Sequence, residues 1–174
     1  LYKLAKMSTS GLSRAIRPAG TSLDGDIVIA ISNFQRNYNE KDYNFKIGKS
    51  VEILSGDDVA IIACGVLVHE SIRAAEILEE NGINATVVDM HTIKPLDKAL
   101  IDKLSTKCGA IVTAEDHSVI GGLGGAVSEY VVSSNPIPIE KIGVNERFGE
   151  SAEADEMLEI MGLKSNNIVD AVHR

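Results

Sequence analysis

Three short apolar segments at nearly even intervals constrain this chain more than anything else in it. They are 58–64 (DVAIIAC), 84–90 (NATVVDM) and 109–115 (GAIVTAE). Each is rich in β-branched residues and apolar without alternation, as strands covered on both faces are. A fourth segment, 139–144 (IEKIGV), is weaker. Between them, apolar residues recur at helical spacing. Val68, Ile72, Ala75 and Leu78 make one stripe, and Gly82 stands where that helix should stop. Leu96, Leu100 and Leu104 make a second, with Pro95 in its first turn. Leu123, Val127, Tyr130 and Val131 make a third. EADEMLEIMG and NNIVDAVHR read as two short closing helices, with Ser165 capping the last. Strand and helix in alternation build right-handed βαβ crossovers. The expectation for 50–174 is a three-layer α/β/α sandwich with a mostly parallel five-stranded sheet. The lead-in 43–54 (YNFKIGKSVEIL) reads as two short strands turning at Gly48.

Residues 1–36 do not share this pattern. DGDIVIAIS, ending at Ser32, has the look of a strand with no helix after it. That marks 1–36 as the remnant of a preceding domain and 37–49 as a linker. A first residue of Leu rather than Met points to a fragment or a processed product. The net charge of −8 argues against nucleic acid or an anionic membrane as partner. No apolar run is long enough to span a bilayer. Cys64 and Cys108 make neither a disulfide framework nor a metal cluster. As reduced, buried thiols they fit a cytoplasmic protein.

The stretch with the most chemistry is TAEDHSVIGGLGGAVSE, 113–129. A glycine-rich turn that opens a helix can cradle a phosphate, because the first N–H groups of a helix are unpaired. GGLGGAV nevertheless misses the dinucleotide fingerprint, since Val127 stands where the third Gly belongs. No Lys-Ser or Lys-Thr follows, which excludes a P-loop. His117 is the natural acid–base candidate, with Glu115 and Asp116 beside it to orient the ring. Ser118 lies in no nucleophile elbow, and no paired His or Cys spacing suits a metal. What remains is a polar rim at the strand ends: Cys64, His91, Asp116, His117, Ser118, Asn145, Glu146 and Arg147. Such a rim binds either a small ligand or another domain.

Four stretches of the chain carry a family likeness: YNFKIGKS (43–50), VDMHTIKPLDKALID (88–102), AIVTAEDHSVIGGLGGAVSE (110–129) and IGVNERFGESAEADEMLEIMGL (142–163). In that order and spacing they resemble the C-terminal domain of transketolases, most closely those whose C-terminal half is a separate subunit. Related domains end deoxyxylulose-phosphate synthases and the beta subunits of 2-oxoacid dehydrogenases. HTIKPLD joined with AEDHSVIGGLG favours transketolase. The resemblance implies an enzyme of the pentose phosphate pathway that moves a two-carbon ketol unit between sugar phosphates. It implies thiamine diphosphate and Mg2+ in the complete enzyme, bound by domains that precede this one. It implies a homodimer, a partner chain carrying the missing thiamine-binding domains, or both.

This chain carries no Gly-Asp-Gly motif, since 56–58 reads Gly-Asp-Asp, and no counterpart of the Glu that activates the cofactor. No catalytic, cofactor or metal residue is therefore expected here, and the chain alone should be inactive. In the family a Ser-Arg pair after the last strand of the pyrimidine-binding domain helps hold substrate phosphate. Here Asn33 follows Ser32 and Arg36 comes late, so Arg36 is a weak phosphate candidate. The interface candidates are His91, Asp116, His117, Ser118, Gly121, Gly122, Gly124 and Arg147. On this reading the glycines let a neighbouring backbone approach, and Gly124→Leu would weaken assembly but leave the domain folded. The rivals are a free-standing phosphate- or nucleotide-binding regulator using Gly121–Gly125, a scaffold left from a decayed enzyme, and the C-terminal domain of a deoxyxylulose-phosphate synthase or of a 2-oxoacid dehydrogenase beta subunit.

Overall fold

The structure is a computed structural model and describes residues 45–147 and 150–174. The expectations for 1–36, with Arg36 among them, and for most of the linker lie outside the described residues.

The elements run β1 (Val51–Leu54), β2 (Val59–Ala63), α1 (Leu67–Glu80), β3 (Ala85–Asp89) and α2 (Lys98–Lys107). Then come β4 (Ala110–Ser118), α3 (Leu123–Ser133), β5 (Ile139–Val144), α4 (Ala154–Ile160) and α5 (Ser165–Val172). The five strands form one sheet in the order β1-β3-β2-β4-β5. All neighbours are parallel except β1, which runs antiparallel to β3 at the edge. The α/β/α sandwich expected from the apolar runs is thus the fold that forms.

The side-chain period of two along a strand sorts residues between the layers. Ile61, Ala63, Val87, Val112 and Ala114 face one side, where they pack with Leu67, Leu78, Ile168 and Ala171 of α1 and α5. Ala60, Ile62, Val88 and Ile111 face the other, against Ile101, Leu104, Leu123 and Val127 of α2 and α3. Every residue of β2 and β3 is buried, which is why β2 reads as an unbroken apolar run and β3 as one interrupted only by Thr86 and Asp89.

Four local expectations need correction. Pro95 sits in the turn before α2, not in its first turn, and the Lys94–Pro95 peptide is cis. Among the described residues the lead-in gives one strand rather than two. Its turn is at Gly48, at a φ of +76° that suits glycine. Ser165 is the first residue of α5 and Lys164 is its N-cap. The Ser165 N–H donates instead to Glu70 Oε2 of α1 at 2.8 Å, across 95 residues of sequence. Finally, β4 runs on through Glu115, Asp116 and His117 to Ser118.

Candidate functional site

Open α/β sheets bind ligands beyond the carboxyl ends of their strands, where the chain leaves neighbouring strands for opposite faces. Here that point lies between β2 and β4. The chain leaves β2 for α1 on one face and leaves β4 for α3 on the other. Cys64, His91, Asp116–Ser118 and Asn145–Arg147 all follow or end strands at this edge, as the rim expectation requires.

Glu115 decides what the edge can do. Strand parity turns it to the α3 side, and it is only 2% exposed. Its Oε2 accepts the N–H of Leu123 and its Oε1 accepts the N–H of Gly124, both at 2.7 Å. The carboxylate thus caps α3 from the strand, at the positive end of the helix dipole. α3 has no cap from its own N-cap side chain. Gly122 is buried because this contact leaves no room for a side chain. A Cβ there would stand 2.0 Å from Glu115 Oε2. A Cβ on Gly124, also buried, would meet Thr113 Oγ1 and Lys141 Cδ at 2.8 Å. Both glycines therefore serve packing inside the domain, and Gly124→Leu would disturb the fold itself. Gly121, at a φ of +81°, is exposed and open.

The neighbours of Glu115 divide between anchors and open groups. His117 is exposed, with Nδ1 hydrogen-bonded to the Ser118 carbonyl oxygen at 2.9 Å and 3.9 Å from Glu115 Oε2. Ser118 Oγ accepts the Ile120 N–H at 3.2 Å and stiffens the turn. Lys141 Nζ donates to the Val119 carbonyl oxygen at 3.3 Å. Asp116 points outward and is exposed. Arg147 donates to the Ile160 carbonyl oxygen at the end of α4 and pairs with Glu150. Burial first, then the charges of Glu115, Asp89 and Asp116, push the Cys64 thiol up to about 12, so it is no nucleophile at neutral pH. Cys108 is also raised, mainly by burial.

His91 belongs to a second arrangement. Its Nε2 is 3.2 Å from the Lys46 carbonyl oxygen, and its ring lies 4.5 Å from that of Phe45. Beside it the Gly48 N–H donates to Thr92 Oγ1 at 3.1 Å, and the Ser50 N–H donates to Asp97 Oδ2 at 2.9 Å. Lys49 Nζ reaches Asp97 Oδ1 at 3.3 Å. The β3–α2 loop thereby fastens the lead-in segment. Sequence reasoning missed this role for Asp97 and the cap role for Glu115. An acidic residue embedded in an apolar run just before a glycine turn was the available signal for the second.

The edge so described has neither a nucleophile–base pair nor an open anion cradle. Among the described residues no group of three or more His, Cys, Asp or Glu could hold a metal. These residues do not fit thiamine diphosphate or Mg2+.

The model of the transketolase C-terminal domain family matches residues 48–168. The chain belongs to that family. A protein of Methanocaldococcus jannaschii named as a putative transketolase C-terminal section is 47% identical over 136 residues, 77% of this chain and 42% of its own length. A 6-deoxy-6-sulfo-D-fructose transketolase subunit of Clostridium sp. strain MSTE9 is 40% identical over 162 residues, 92% of this chain and 50% of its own. A 1-deoxy-D-xylulose-5-phosphate synthase of Trichormus variabilis is 42% identical over 128 residues, 73% of this chain but only 20% of its own. Among solved structures, a split-gene transketolase described as an inactive beta4 tetramer aligns at a TM-score of 0.73 and 45% identity. It covers 76% of this chain and 43% of that one. The chain therefore spans half or less of the length of the curated relatives it matches. In this transketolase C-terminal domain, helix α3 is capped from β4, and no helix is long and apolar enough to cross a membrane among the described residues.

Proposed function

We propose that this domain serves a cytoplasmic transketolase that transfers a two-carbon ketol unit between sugar phosphates of the pentose phosphate pathway. Thiamine diphosphate and Mg2+ belong to domains other than this one, on the same chain or on a partner. The domain's own work is assembly, through the strand-end edge that carries His91, Asp116, His117, Ser118, Gly121 and Arg147. The observation that carries this reading is the Glu115 cap. The anion site that the α3 N-terminus would offer is filled from within, so the edge is left to contact other protein. The same observation disfavours a phosphate-binding regulator at Gly121–Gly125. The names of the relatives add support, since two of them are a C-terminal section and a subunit of transketolases.

The test is native mass spectrometry of the polypeptide captured from its own cell. The expected result is a longer chain, or this chain bound to a partner that carries thiamine diphosphate. A lone species of 18.6 kDa, or its dimer without cofactor, would refute the reading.

A further inference from the structure

Helix α1 ends on a chemically sensitive pair. Asn81 closes the helix and Gly82 follows it, the one Asn-Gly step in the sequence. Because α1 runs back across the sheet, the pair lies at the amino end of the strands, where β3 begins at Ala85. That is the far end from His91, Asp116 and His117. Asn81 and Gly82 are both exposed, and a Cβ built on Gly82 would meet nothing within 4 Å. Gly82 also has no side chain to hinder attack by its own backbone nitrogen.

The fold holds this pair in an unreactive geometry. The Gly82 N–H donates to the Glu79 carbonyl oxygen at 3.0 Å, and the Ile83 N–H donates to the Leu78 carbonyl oxygen at 2.9 Å. With Gly82 at a φ of +80°, these two bonds make a Schellman stop. Asn81 Nδ2 donates to the Ile77 carbonyl oxygen at 2.8 Å, which ties down the side chain. The ψ of Asn81 is 7°. That angle swings the Gly82 nitrogen away from the Asn81 side chain, whereas ring closure needs the two in one plane.

We propose that Asn81 is a site of spontaneous covalent modification, gated by opening of the last turn of α1. In the open state the Gly82 nitrogen gives its proton to solvent base and attacks Asn81 Cγ. The N–Cγ bond forms, the Cγ–Nδ2 bond breaks, and the nitrogen leaves as ammonia with a proton taken from water. A succinimide ring remains. Water then opens one of its two carbonyls, leaving aspartate, or isoaspartate with the chain routed through the side chain. No oxidant or cofactor takes part. Either product sets a carboxylate beside Glu79 and Glu80, at the negative end of the α1 dipole, in a last turn that holds no basic residue. The donor to the Ile77 carbonyl oxygen is lost as well. Loss of ammonia makes the change one-way, and the end of α1 is left looser.

The test is peptide mapping by mass spectrometry. The full 174-residue chain is held at mildly alkaline pH beside a synthetic peptide of residues 76–86. Asn81 of the folded chain is expected to convert to acid at least about tenfold more slowly than in the peptide, yet faster than exposed Asn84, which precedes Ala85. Urea at about 6 M should bring chain and peptide to one rate. Glu80→Gly, at an exposed position in the last turn, should quicken conversion about threefold, in step with hydrogen exchange at the Gly82 N–H, which needs the same opening. Asn81→Asp carries the product charge on an ordinary backbone. It should speed exchange at Gly82 and Ile83 about threefold and leave β3 protected. A folded chain that converts at the peptide's rate would overturn the gate, and so would a rate indifferent to Glu80→Gly. Conversion no faster than at Asn84 would overturn the site. Unchanged exchange in Asn81→Asp would overturn the loosening. Ketol transfer is not read in any of these measurements, so their outcome is separate from that of the proposed function.

Discussion

Replacing Glu115 by Gln changes one atom pair and should cost the domain a fifth or more of an ordinary folding free energy. The side chain keeps its volume and one carbonyl oxygen, which can still accept from one of the Leu123 and Gly124 N–H groups. Its NH2 must then face the other N–H, donor against donor. One charge-assisted hydrogen bond is lost, a buried N–H is orphaned, and the helix dipole loses its negative partner. Together these cost about 3 kcal/mol, because the acceptor is 2% exposed and both bonds are 2.7 Å. For a domain of this size that is roughly 10 °C in melting temperature. Urea unfolding should show the midpoint falling with the slope unchanged. A second variant separates the cap from mere packing. Gly122 has a φ of −99°, outside the left-handed region, so Gly122→Ala is penalised by close approach, to Glu115 Oε2 at 2.0 Å and to His117 Nδ1 at 2.8 Å. It should cost about 2 kcal/mol or more in the wild type and about 1 kcal/mol less beside Glu115→Ala, where the carboxylate is gone and only the exposed His117 ring must turn aside. The argument fails if Glu115→Gln stays within about 0.5 kcal/mol of wild type, or if Gly122→Ala costs the same in both backgrounds.

Two further outcomes follow from geometry already described. Asp97→Ala removes the acceptor for the Ser50 N–H and Lys49 Nζ, so limited proteolysis should cut near 45–50 several-fold faster while β3 stays protected in hydrogen exchange. Equal cleavage rates would show that Phe45–His91 and Gly48–Thr92 suffice as fastening. Cys64, with its thiol at about 12, should react with a disulfide reagent at pH 8 more than about a hundredfold slower than a free thiol of ordinary pKa. Its pKa is raised, so the thiolate is scarce throughout the neutral range and rises tenfold per pH unit. A rate close to that of free thiol would contradict the burial and charge assigned to it.

The parallel sheet was legible because burial on both faces leaves a short apolar, β-branched run, unbroken in 59–63 and interrupted only by Thr86 and the final Asp89 in 85–89. The helices between were legible from their stripes. The misreadings share one cause, which is that the partner that decided the local structure lies far away in sequence. Ser165 is an ordinary cap residue, but Glu70 supplies the acceptor instead, 95 residues earlier. Pro95 suits a first helical turn, yet the turn holding the lead-in occupies it, with Pro95 Cγ only 2.8 Å from a Cβ built on Gly48. The glycine-rich stretch looked outward-facing because small residues permit close approach of anything. Only the register of β4 reveals that the approaching group is Glu115 of the same domain.

The bond between Glu70 and Ser165 has a meaning for synthesis as well as for stability. Chains emerge at about 5–20 residues per second, so these two residues appear about 5 to 20 s apart. During that interval α1 can form and lie on β2 and β3, but Leu78 and Ala75 have no α5 to cover them and Glu70 has no amide to receive. The domain is then a nascent chain with an open hydrophobic face and, beside it, a Glu70 carboxylate held by Arg73 of the same helix. A chaperone that recognises exposed apolar surface has its window there, and the window shuts when Ile168 and Ala171 arrive. Slowing translation between 80 and 165 should therefore raise aggregation of the nascent chain without altering the finished protein.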